Sequence, residues 1–137
     1  MSRFAFAYAL GVFAFAACSS GSSSTGTTGG PSGPTITIKN YTFSPDPLMV
    51  AAGATVTVVN GDGATIVHTA TSDVDAGSFV KGQVPNGFTF DTGNIQPGTS
   101  ATFTIPAGLS DGTTQPYFCE QHMGMMDNPH PSIVIKN

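Results

Sequence analysis

The 137-residue chain has no tryptophan and few charged residues: four Lys and Arg against eight Asp and Glu, a formal net charge of −4. Nucleic-acid binding needs clustered Lys and Arg to neutralise phosphates, so we exclude a nucleic-acid partner. Cysteine is also scarce, with Cys18 and Cys119 as the two copies. Cys18 ends an apolar run and Cys119 lies among metal-ligand residue types, so we do not interpret the pair as a disulfide.

The first segment, residues 1–17, combines Arg3 with an apolar run that is too short to span a membrane. This pattern predicts a signal peptide and export to the cell envelope or periplasm. Small residues precede Cys18 and resemble the lipobox of bacterial lipoproteins, which predicts a lipid anchor there as the chain's one membrane contact. The alternative is ordinary cleavage at Ala14-Phe15-Ala16, which would release a soluble protein.

The second segment, residues 18–34, consists almost wholly of Ser, Gly, Thr and Pro after its cysteine. Such a segment cannot bury apolar surface, and we predict a flexible tether. The third segment, residues 35–137, has the Val, Thr and aromatic content of a folded β domain. It is long enough for one two-sheet core.

Alternation of polar and apolar residues predicts seven to eight short strands and no helix of useful length, hence an all-β sandwich. The clearest predicted strands are Thr35–Ile38, Thr55–Val59, Thr65–Thr71, Ala101–Ile105 and Ser132–Lys136. The predicted core comprises Ile36, Ile38, Phe43, Val56, Val58, Phe103, Ile105, Tyr117 and Val134.

The stretch from Tyr117 to Met126 concentrates a thiol, an imidazole and thioethers. Its Cys-x-x-His-x-x-Met spacing offers one nitrogen and two soft sulfur ligands, a set that suits copper far better than calcium or magnesium. A copper site with two His and one Cys needs one more imidazole, and His68 is the candidate. The rest of the chain would then be the scaffold that brings His68 to this loop.

These features together resemble the cupredoxins, the small blue-copper proteins of the plastocyanin and amicyanin group. The resemblance implies a Greek-key β-sandwich with one copper ion at one end. It implies His68, Cys119 and His122 as the strong ligands, and Met125 as the weak axial ligand with Met126 as the alternative. The segments that carry it are Phe43-Ser44-Pro45, Val56–Asn60, His68-Thr69, Phe90–Gly98 and Tyr117–Met125.

The resemblance also implies a function. Three strong ligands and one weak ligand leave no vacant position for a substrate, so we expect an electron carrier and not an enzyme. We expect a monomer that shuttles single electrons between envelope redox partners, which dock briefly around His122. The alternative is a copper-binding or delivery protein, for which the Met-rich loop would hand over Cu(I). A third interpretation is an interaction domain with a degenerate site.

Secondary contacts can also be predicted. The ring nitrogen of His68 that does not bind metal should donate a hydrogen bond to a carbonyl or side chain. The resemblance to cupredoxins implies that the Thr69 N–H points at the Cys119 sulfur. We hypothesise that Gln121 supplies a second N–H to that sulfur and raises the reduction potential. We expect His130 to be a surface turn residue. The acidic residues expected to be solvated are Asp62, Asp73, Asp75, Asp91, Asp111 and Glu120.

Overall fold

The computed structural model describes residues 33–137. The predicted signal segment, the predicted lipidation site at Cys18 and nearly all of the predicted tether lie outside the described residues. The elements are β1 (Thr35–Lys39), β2 (Thr42–Ser44), β3 (Leu48–Val50), β4 (Thr55–Asn60), β5 (Thr71–Ser72), β6 (Ser100–Thr104), β7 (Thr114–Phe118), a 3₁₀ turn (Glu120–His122) and β8 (Ser132–Ile135).

The strands form two four-stranded sheets, in the orders β2-β1-β4-β6 and β3-β8-β7-β5. Each sheet is mixed, because β1 pairs with β4 and β3 pairs with β8 in parallel, while the other pairs are antiparallel. The predicted all-β sandwich is therefore confirmed, with eight strands in the described part of the chain.

Alternation along the strands explains how the two sheets enclose one core. In β1, Ile36 and Ile38 are fully buried while their neighbours are not, and β4 buries Val56 and Val58 in the same way. These residues lie on one face because successive strand side chains point to opposite sides of a sheet. Phe90 stacks on Phe103 with ring centroids 4.0 Å apart, and this contact extends the core.

Two of the sequence-based predictions about strands are wrong. The predicted strand Thr65–Thr71 is largely irregular, and the strand β5 covers Thr71–Ser72 instead. In β8 the buried residues are Ile133 and Ile135, so the predicted core residue Val134 lies on the other face. A continuous apolar run gives no alternation from which the buried face could be read, which explains the second error.

Within residues 33–137, no helix is long and apolar enough to cross a membrane.

Candidate metal centre

Strand β7 and the turn that follows it position two of the predicted ligands. Cys119 comes directly after β7, and the 3₁₀ turn places His122 on the same side three residues later. The turn is closed by the His122 N–H, which donates to the Cys119 carbonyl at 3.2 Å. The Met125 N–H donates to the His122 carbonyl at 3.0 Å and forms a second turn directly after the first.

His68 reaches this loop from an irregular segment after β4. Its backbone is fixed against Ile95 by two hydrogen bonds, of 3.2 Å from the His68 N–H and 2.7 Å to the His68 carbonyl. The pairing of Thr71 with Phe118 in β5 and β7 then brings this segment alongside Cys119. The segment is therefore held at His68 by Ile95 and at Thr71 by Phe118, without a continuous strand.

Three donor atoms converge at this end of the sandwich. The Cys119 Sγ lies 3.7 Å from Nδ1 of His68 and 3.5 Å from Nδ1 of His122. All three ligand atoms lie within 4.8 Å of one another. Sulfur and nitrogen atoms that share an ion at about 2.3 and 2.0 Å are themselves roughly 3.5 Å apart, so the cluster has the dimensions of a metal site.

The electrostatics of the cluster also suit a cation. His68 and Cys119 are fully buried, while His122 is only partly so. Burial lowers the pKa of His122, and the adjacent His68 imidazole lowers it further. A lowered pKa keeps an imidazole neutral, which is the form that binds a metal.

Thr69 organises the sulfur side of the site, as its predicted contact requires. Its backbone N–H donates to the Cys119 Sγ at 3.4 Å. Its hydroxyl oxygen accepts the Glu120 N–H at 2.8 Å, which ties the ligand loop to the His68 segment. A hydrogen bond to a thiolate stabilises its negative charge and fixes the sulfur position.

Asp62 contacts the donor cluster in a way that the sequence did not predict. We expected it to be solvated, but its carboxylate is only 6% exposed and lies 2.8 Å from Nε2 of His68. Burial alone would raise the pKa of Asp62, but hydrogen bonds from Tyr41, Asn40 and His68 outweigh it, and the pKa is lowered. The sequence around Asp62 is a Gly-rich turn, which is usually exposed, so it does not predict that the carboxylate contacts a histidine.

Comparison with solved structures shows which known proteins share the fold of this chain. No protein-family model and no curated protein matches the chain. Among solved structures, amicyanin from Paracoccus versutus matches 80% of this chain and 86% of its own, at 15% identity and TM-score 0.52. The purple cupredoxin from Nitrosopumilus maritimus matches 74% of this chain and 98% of its own, at 19% identity and TM-score 0.52.

The chain has the cupredoxin fold. A copper-containing nitrite reductase from Thermus scotoductus also matches 79% of this chain, at 20% identity and TM-score 0.55, but over only 23% of its own length. The cupredoxin fold is thus found both in small separate proteins and as one part of a larger chain. At these identities the likeness establishes the fold, and the function must be argued from the site.

The methionines of this cupredoxin fold differ sharply in burial. Met125, predicted as the axial ligand, is 66% exposed. Met126, the predicted alternative, is 4% exposed and belongs to the same buried cluster as Cys119. A thioether that faces solvent cannot also face a buried ion, so the burial favours Met126.

Gln121 and His130 take no part in the donor cluster. Among the hydrogen bonds of the described residues, the Cys119 sulfur receives its backbone N–H from Thr69 and none from Gln121. The Gln121 side chain donates instead to Asn94 Oδ1 at 3.0 Å. His130 is largely buried, and its Nε2 lies 3.7 Å from Asp73 Oδ2, so the predicted surface position is wrong.

Asp73 is the second acidic residue that is buried against expectation. Its carboxylate accepts hydrogen bonds from Ser78, Phe79 and Val80 at 2.5, 2.9 and 3.1 Å. Burial alone would raise the pKa of Asp73, but these hydrogen bonds outweigh it and hold the pKa below 3.8. The carboxylate therefore closes the loop that follows β5 and does not line the metal centre.

Proposed function

We propose that this chain is a copper protein that carries single electrons. His68, Cys119 and His122 would bind one copper ion, with Met126 as the weak fourth ligand. The observation that carries the proposal is the convergence of one Sγ and two Nδ1 atoms within 4.8 Å at a buried end of a cupredoxin fold. Two imidazoles and a thiolate with a distant thioether are the ligand set of blue-copper electron-transfer sites.

Copper, when bound, supplies a one-electron couple between Cu(I) and Cu(II). The residues of the chain hold the ligand atoms in place, since the hydrogen bonds to His68 and Cys119 restrict both side chains. One electron enters and one leaves, and no atom or proton is transferred. With four protein ligands no position is left for a substrate, so we propose a carrier and not an enzyme.

The surface beside His122 supports brief docking of a redox partner. Met123 and Met125 are 55% and 66% exposed, and both follow the partly exposed His122 in sequence. Flexible thioether side chains adapt to differently shaped partners. We therefore propose that partner proteins meet a monomer at this surface and exchange electrons through the His122 ring.

Copper delivery is the second candidate function, and the same exposed thioethers favour it. Soft thioethers bind Cu(I), so Met123 and Met125 could receive the ion from the buried ligands. The two functions differ in a measurable way. A carrier retains copper through repeated oxidation and reduction, whereas a delivery protein loses Cu(I) to an added Cu(I) chelator of moderate affinity.

We propose that the protein works in the cell envelope, anchored by lipid at Cys18. The support is the sequence of residues 1–34, in which a signal-like segment and the cysteine precede a Ser- and Gly-rich stretch. Mass spectrometry of the protein purified from membranes should find the lipid on Cys18. Recovery of an unmodified protein, cleaved before residue 18, would favour the soluble exported form.

The decisive experiment is the visible and EPR spectrum of the Cu(II)-loaded protein. We expect the intense absorption of a thiolate–Cu(II) bond, lost in Cys119→Ser. Cys18→Ser replaces the other cysteine of the chain, in the segment before the folded domain, and is the matched control, which should keep the absorption. A protein that binds no copper, or whose spectrum survives Cys119→Ser, would contradict the proposal.

The axial ligand is tested by paired leucine variants. Met126→Leu removes the thioether that the buried cluster contains, and we expect a raised reduction potential, since an axial donor stabilises Cu(II). Met125→Leu changes an exposed side chain and should leave the potential unchanged. The reverse result would restore Met125 as the ligand.

A further inference from the structure

Asp62 contacts the candidate site and the neighbouring turn at once. Its Oδ2 lies 2.8 Å from Nε2 of His68 and accepts the Tyr41 N–H at 3.1 Å. Its Oδ1 accepts the Asn40 N–H. Within residues 33–137, every hydrogen bond to this buried carboxylate therefore comes from the β1–β2 turn or from the candidate ligand.

The contact with His68 determines which ring nitrogen faces the sulfur. Because Nε2 donates its proton to the carboxylate, Nδ1 is left with a free lone pair, and Nδ1 is the atom 3.7 Å from Cys119 Sγ. A carbonyl acceptor would select the same tautomer. A carboxylate does so with a full negative charge next to the ring, which makes the imidazole a stronger electron donor.

The turn that Asp62 holds brings an aromatic ring over both candidate histidines. Asn40 and Tyr41 have positive φ angles of 51° and 58°, which non-glycine residues seldom adopt. The Tyr41 ring packs edge-on against His68 and His122, with centroids 5.7 and 5.0 Å away. The hydrogen bonds from the Asn40 and Tyr41 amides to Asp62 therefore help to hold the Tyr41 ring against the two histidines.

Asp62 is itself fixed from behind by Asn60, at the end of β4. The Asn60 side chain accepts the Asp62 N–H at 3.0 Å, and its amide donates to the carbonyls of Ile66 and Ile95 at 2.8 and 2.9 Å. Ile95 is also the backbone partner of His68. Asn60 thus restrains the backbones of Asp62 and, through Ile95, of His68, which keeps the two side chains in contact.

We propose that Asp62 is a positioning residue that fixes the Nε2–H tautomer of His68 and stabilises the oxidised over the reduced state of the site by its charge. This inference rests on the proposed copper function. The oxidised ion carries one positive charge more than the reduced ion. A nearby, poorly solvated negative charge therefore favours the oxidised ion and lowers the reduction potential.

The first test needs neither a variant nor a metal. Nitrogen-15 NMR of the histidines in the metal-free protein, at mildly alkaline pH, reports which ring nitrogen carries the proton. We expect His68 to be protonated at Nε2. A proton on Nδ1 would overturn the proposal, whatever the protein does with copper.

The second test is Asp62→Asn, which keeps the size of the side chain and removes the charge. We expect Cu(II) and the redox-inert Zn(II) to bind about 10- to 100-fold more weakly, as when such supporting contacts are lost elsewhere. Cu(I) affinity should fall less than Cu(II) affinity, so the reduction potential should rise. Asp111→Asn is the matched control, because it removes an equal charge from a carboxylate that contacts Lys136 and Asn137.

The outcomes separate this inference from the proposed function. A wild-type protein that binds no copper contradicts the function. A wild-type protein that binds copper, with Asp62→Asn matching its potential and its Zn(II) affinity, contradicts the role of Asp62 alone. If Asp62→Asn fails to fold, Asp62→Glu preserves the charge, and a raised potential in that variant would count against the charge effect.

Discussion

The two sides of the candidate metal centre are built in opposite ways. On one side lies a polar network of Asn60, Asp62 and His68, in which each side chain is held by at least one other group. On the other side lies the ligand loop (residues 119–126), which exposes Met123 and Met125. The network restrains His68, and the loop exposes the surface at which we propose that redox partners dock.

The largest expected effect comes from breaking the network. Asn60→Ala leaves the Asp62 N–H and the Ile66 carbonyl without a partner, whereas the Ile95 carbonyl keeps the His68 N–H. Each unsatisfied buried group costs about 1–3 kcal/mol, so we expect a loss of about 4 kcal/mol in the free energy of unfolding. Denaturant titration measures it. The exposed Asn94→Ala, which removes the acceptor of Gln121, should change stability by less than about 0.5 kcal/mol.

The second largest effect is expected at Met126, the buried methionine of the ligand loop. Met126→Ala removes a side chain from the core cluster and should cost about 2–3 kcal/mol. Met125→Ala, one residue earlier but 66% exposed, should stay within about 0.5 kcal/mol of wild type. Thermal unfolding of the metal-free proteins measures both, and equal losses would contradict the assigned burial.

The sequence predicts the ligand loop better than the polar network, because predictability depends on how far apart contacting residues lie along the chain. The alternation of β1 and β4, and the Cys119–His122 spacing, are local patterns that predict the sandwich and the ligand loop. The burial of Asp62 depends on an imidazole six residues away and on a turn more than twenty residues away. No local pattern reports such a contact, and none distinguishes the neighbours Met125 and Met126.

Asp73 offers a comparison with Asp62, because it is a buried carboxylate that does not belong to the donor cluster. Its pKa in the folded protein is below 3.8, so it contributes stability above that pH and loses it as the pH falls toward the folded value. We expect Asp73→Asn to be less stable than wild type at neutral pH by about 1–2 kcal/mol. The gap should narrow below about pH 4. Urea titrations at neutral and acidic pH measure it, and a gap that widens in acid would refute the assignment.

The smallest effect is expected at Gln121. The sequence suggested that its N–H bonds to the thiolate, in which case Gln121→Pro would lower the reduction potential. In the structure the Thr69 N–H donates to the sulfur and Gln121 adds no second N–H, so we expect Gln121→Pro to change the potential little. Voltammetry of the copper-loaded protein distinguishes the two expectations. A clearly lower reduction potential in Gln121→Pro would support the hydrogen bond from Gln121.

The parallel pairing of β3 with β8 has a consequence for how this site comes into being. Strand β8 lies between β3 and β7, so the second sheet remains in two pieces until residues 132–135 arrive. Pairing between such distant segments is slow, because the long intervening loop must first be closed. The ligand loop is anchored on its far side by that same strand. The binding centre should therefore mature as a final event, after the first sheet has already assembled.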